Sequence, residues 1–64
     1  MEKYVIIDMV TGEYLAKRFM RGFYLTPMIN DAIQTKTEDE ARAHLSKQNV
    51  KSGDAFKIDT ISVS

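Results

Sequence analysis

Sixty-four residues carry nine basic and nine acidic side chains, one histidine, and neither cysteine nor tryptophan. That length allows a single domain, 1–64, which buries only about 60% of the surface its unfolded chain exposes. Without cysteine there is no disulfide framework, thiolate zinc site or cysteine nucleophile to support or equip so small a core.

Zero net charge argues against charge-driven binding to nucleic acid or anionic membrane. No apolar run approaches the ~20 residues of a membrane span, and the first residues lack the basic-then-apolar layout of a signal peptide. A cytoplasmic, globular chain is expected, since 44% apolar residues is too many for disorder.

The first segment, 3–10, is rich in β-branched and aromatic residues, as a strand requires. Tyr4 to Ile7 are apolar in both phases, which suggests cover on both faces for part of the strand. Thr11-Gly12 supplies a hairpin turn, glycine giving the positive φ. Residues 13–20 return as a second strand with imperfect alternation. Gly22 breaks that run, and Phe23-Tyr24-Leu25-Thr26 reads as a third strand. Thr26-Pro27 predicts a short helix through Ala32, with Thr26 as N-cap and Pro27 in the first helical position. Residues 33–36 are too short and β-branched for helix, and predict a brief strand or extended link.

Thr37-Glu38-Asp39-Glu40 is the clearest local signal. Thr37 accepts from the Glu40 N–H while the Glu40 carboxylate reaches back to the Thr37 N–H. Three acids in the first turn suit the helix dipole, and Glu38 with Arg42 makes an i,i+4 pair. The helix is expected to end near Lys47 or Gln48, with Asn49 a left-handed cap. Its inward stripe is thin: Ala41 and Leu45, with His44 and Gln48 at the margin. Residues 51–54 form a loop by composition. In the last strand, 55–63, Phe56 and Ile58 share one phase but Ile61 and Val63 the other. Either both faces are buried at different points, or a β-bulge near Asp59-Thr60 restores the register. The order β-β-β-short helix-β-α-β defines an α+β fold, a mostly antiparallel sheet with one main helix on one face.

Several short strings carry a resemblance. Tyr14-Leu15 after Thr11-Gly12-Glu13, then Phe23-Tyr24-Leu25-Thr26, Ile29-Asn30-Asp31-Ala32 and Thr37-Glu38-Asp39-Glu40-Ala41 together resemble small uncharacterised phage and mobile-element proteins of Gram-positive bacteria. The likeness spans about residues 3–45. It brings no catalytic motif, and it implies a phage context in which domains of this size act on host machinery, including as anti-defence inhibitors.

Catalytic and metal chemistry finds little support. His44 stands alone in mid-helix with Glu40 and Gln48 one turn away, which fits a structural or solvent-facing histidine. Glu38, Asp39 and Glu40 have the spacing of a helix start, not of a ligand set. Gly12, Gly22 and Gly53 are isolated, so no phosphate cradle forms. Neither catalytic residues, metal ligands nor a cofactor is expected.

The distinctive stretch is 17–24, where Lys17, Arg18 and Arg21 alternate with Phe19, Phe23 and Tyr24 without an acid. Cations beside stacking aromatics suit single-stranded nucleic acid, and Arg, Tyr, Phe and Met also favour protein interfaces. The plain alternative is core aromatics beside solvated cations. After residue 25 there are six acids against five bases, which weighs against nucleic acid. The expectation is therefore a non-enzymatic module that binds a protein, of the host or a second copy, through Lys17, Arg18, Arg21 and Tyr24. A nucleic-acid accessory protein is the alternative. Phe23 and Tyr24 should point to opposite faces, Tyr24 outward. Tyr4, Tyr14 and Tyr24 are expected to share one sheet face, and the light helix to leave apolar sheet surface for a homodimer or another partner.

Overall fold

The computed structural model describes residues 1–18, 20, 22–47 and 55–62. It holds four strands, β1 (Glu2–Asp8), β2 (Tyr14–Arg18), β3 (Gly22–Thr26) and β4 (Phe56–Ser62), and one helix, α1 (Glu38–Lys47). The sheet is antiparallel in the order β3-β2-β1-β4, with α1 packed against it, an α+β fold as the sequence implies.

The β1–β2 turn is set by Asp8. Its carbonyl accepts from the Gly12 N–H (2.7 Å), its N–H donates to the Glu13 carbonyl (2.8 Å), and its Oδ1 accepts from the Val10 N–H (2.8 Å). Gly12 has φ 78°, so glycine takes the left-handed position that closes this loop. The second connection uses a costlier residue there: Met20 has φ 60°.

β1 and β4 pair along their whole length, from Glu2 opposite Ser62 to Asp8 opposite Phe56, one residue against one. No bulge interrupts this register, so the phase change in β4 is resolved by burial on two faces. Phe56 and Ile58 face α1, and Ile61 lies half-buried on the other side.

β1 and β2, by contrast, share a single pair, Ile7 with Tyr14. Beyond it they part, and residues 33–35 fill the gap. The Ile33 N–H donates to the Leu15 carbonyl of β2 (3.0 Å), and Thr35 exchanges two backbone bonds with Tyr4 of β1 (2.9 and 3.0 Å). The expected brief strand or link is thus one bridge wedged into the sheet. A connection leaving the outer strand β3 has to cross β2 to reach that slot.

The short helix starts later than Thr26-Pro27 implies. Thr26 pairs with Tyr14 as the last residue of β3, extended as the residue before proline is, and the cap position of the helical turn falls at Met28. Thr26 Oγ1 accepts from the Met28 N–H (3.1 Å), and a single 3₁₀ turn follows at Ile29–Asp31. At α1 the cap forms as expected on one side: the Glu40 N–H donates to Thr37 Oγ1 (3.2 Å). The return contact differs, because the Thr37 hydroxyl, not its N–H, donates to Glu40 Oε1 (3.4 Å). Arg42 meets Glu38 through Nε (3.0 Å) and Nη2 (2.6 Å). That hydrogen bond, then the carboxylate's charge, raises the guanidinium pKa. The expected Asn49 cap and the 51–54 loop lie outside the described residues.

The core between sheet and helix is Ile6, Leu15 and Ala41, with Tyr4, Phe23, Leu25, Ile33, Leu45, Phe56 and Ile58 packed on it. Strand alternation puts Val5 and Ala16 on the opposite side, yet both are fully buried. The face away from α1 is therefore covered at its centre, and its Ile7, Tyr14, Tyr24 and Ile61 are half-buried. Among the described residues the large exposed apolar side chains are Met1, Met9, Val10, Met20 and Met28, which lie in turns or at an end. Among the described residues, the sheet face away from α1 carries half-buried but no fully exposed large apolar side chains in its strands. Tyr4 also separates from the other two tyrosines, since it packs in the α1-side core.

Candidate functional site

The β2–β3 hairpin carries the residues the sequence singles out. Its register sets Lys17 opposite Phe23, Ala16 opposite Tyr24 and Arg18 opposite Gly22. Cross-strand partners share a face and neighbours along a strand do not. The basic–aromatic stretch is consequently divided. On the α1 side, Lys17 Nζ stands 5.6 Å from the Phe23 ring centre. On the other side, the Arg18 guanidinium lies 4.5 Å from the Tyr24 ring centre. Both are cation–π distances, and Arg on Tyr is the closer pair. Arg21 lies outside the described residues.

Phe23 and Tyr24 point to opposite faces, as expected, but neither is fully core nor fully exposed: both are half-buried. Phe23 packs on the core cluster and meets the His44 ring edge-on, with centroids 6.3 Å apart at 73°. His44 is therefore an aromatic contact of the hairpin. β3 is the outermost strand on this side of the sheet, with β2 as its strand neighbour.

Between α1 and the hairpin runs an open groove of 420 Å³ lined by Lys17, Phe23, Glu40, Ala43, His44 and Lys47. No sequence pattern marks it. The meeting of Ala43 and Lys47 with Lys17 depends on where α1 crosses the sheet.

A second feature without a sequence signal is Asp8. It is fully buried, and its Oδ2 has no hydrogen-bond partner among the described residues. Its other oxygen is committed to the turn, and no group of three or more His, Asp or Glu side chains gathers for a metal among the described residues. No described helix is long and apolar enough to cross a membrane. Comparison with family models, with curated proteins and with solved structures returns no match to this chain.

Proposed function

We propose that this chain is a small non-enzymatic interaction module that acts in the cytoplasm and binds a protein through its β2–β3 edge. Following the phage resemblance, the partner is a host protein that the chain inhibits. The observation that carries the reading is the Arg18–Tyr24 pair, which joins β2 to the outermost strand β3 at 4.5 Å. Arg and Tyr are the side chains on which interface energy concentrates, and stacking holds this guanidinium in one place before a partner arrives. An outermost strand also offers main-chain groups to an added strand. Division of the cations between two faces favours protein over nucleic acid, because a phosphate chain is best tracked by cations along one surface.

The test is affinity capture from host lysate with wild type and Arg18→Glu, both of unchanged melting temperature. A discrete protein retained after nuclease treatment by wild type and lost by the variant supports the reading. Equal retention by the variant, or loss on nuclease treatment, overturns it. Salt supplies a second readout: binding that falls by orders of magnitude between low and moderate salt belongs to phosphate contacts.

A further inference from the structure

The groove beside α1 has a composition that specifies more than a generic contact. Two ammonium groups line it, Lys17 from β2 and Lys47 from the last turn of α1. Neither has a carboxylate within ion-pair distance among the described residues, where the one ion pair is Arg42 with Glu38. Its one acid, Glu40, is held by the Thr37 hydroxyl in the helix cap. Phe23 and Ala43 supply its apolar lining.

Glu40 and Lys47 lie seven residues apart on α1, roughly 10 Å along the axis. Along α1 the lining thus runs from an acid at the cap end to a cation in the last turn, with Lys17 entering from β2. Ten ångströms accommodates about three residues of extended chain.

We infer that this groove receives a short acidic–apolar segment of the partner protein. An apolar side chain lies on Phe23 beside Ala43, and the adjacent carboxylate is met by Lys17 and Lys47. Charge complementarity sets the choice: an anionic group offers a partner to two cations that have no carboxylate partner among the described residues, whereas a basic segment adds to their charge. The inference rests on the protein-binding reading above and names the chemistry of the partner. It concerns the α1 side of the hairpin, whereas Arg18 and Tyr24 occupy the other.

The probe is the tripeptide acetyl-Glu-Leu-Glu-amide, titrated into isotope-labelled full chain and followed by amide chemical shifts. The expected result is saturable shifts concentrated at Lys17, Phe23, Ala43, His44 and Lys47. Affinity should fall about tenfold in a Lys17→Ala, Lys47→Ala variant, two exposed pairs being lost. Ala43→Phe, which fills the groove without changing charge, should also abolish the shifts. Spectra unchanged elsewhere show that each variant is folded. No localised shift overturns the inference, as do equal shifts with acetyl-Lys-Leu-Lys-amide. Sodium acetate reproducing the whole pattern also overturns it, by reducing the groove to a general anion site. Because no natural partner is used, a negative result leaves the Arg18-dependent capture experiment standing on its own.

Discussion

Single residues set the turns and caps of this chain, and three of them make separable predictions. Met20 adopts φ 60°, a conformation that costs an L side chain roughly 1 kcal/mol and glycine nothing. Met20→Gly is expected to raise stability by up to ~1 kcal/mol in denaturant titration, offset in part by greater unfolded-chain entropy. A clear loss would mean the Met20 side chain has packing value despite its 87% exposure. Thr37→Ala removes the acceptor of the Glu40 N–H and should cost about 1 kcal/mol; wild-type stability would show that the cap is satisfied by water. At Asp8 the two oxygens differ, one holding the turn and one buried without a partner among the described residues. Asp8→Asn keeps an acceptor for Val10 while removing the acid, so it should be near neutral or stabilising. Asp8→Ala, which strands the Val10 N–H, should cost ~1 kcal/mol. Equal losses in both would show that the carboxyl has a role beyond the turn.

At the scale of elements, legibility follows how local the determining forces are. β1, the Gly12 turn, β3 and the capped start of α1 depend on neighbours in sequence, and all are readable from it. The start of the short helix is misread because the Thr26-Pro27 signature is met only in part. Thr26 makes the capping-type bond to the Met28 N–H, but it is paired with Tyr14 in β3 and the helical turn begins at Ile29. The wedge at 33–35 is half readable: extended backbone is implied by Ile33 and Thr35, but its place between β1 and β2 is a matter of topology. The groove is not readable at all, since its residues come from three elements whose crossing the sequence does not state. Of the site residues, the opposed faces of Phe23 and Tyr24 follow from alternation, and the stacking of Arg18 on Tyr24 needs the β2–β3 register. α1 itself has one buried residue, Ala41, with Leu45 half-buried. Leu45→Ala should therefore cost toward or below the lower end of ~2–5 kcal/mol. A loss near the upper end would show a helix more deeply seated than this stripe implies.

For the whole molecule, the unequal joining of the strands implies unequal stability. β1 and β4 are laddered through seven consecutive pairs. The β2–β3 hairpin is attached to β1 by one strand pair and by the wedge, in which Ile33 supplies the bond to Leu15. α1 packs mainly on β1 and β4, and meets the outer half of the hairpin through the His44–Phe23 ring contact beside the groove. Leu15 anchors the hairpin in the core, but Lys17 and Arg18 are exposed. Local opening takes the path that breaks the fewest bonds and exposes the least apolar surface. Native-state hydrogen exchange is therefore expected to show the slowest amides in β1 and β4. Protection in β2–β3 should decline from the Leu15–Leu25 end toward Arg18 and Gly22. Ile33→Pro removes the N–H that joins wedge to β2, and should speed exchange in the hairpin more than in β4. Uniform protection across the four strands would mean that the molecule opens only as a unit. A graded profile instead gives the proposed binding edge the freedom to adjust to an added strand, while β1, β4 and α1 hold the fold.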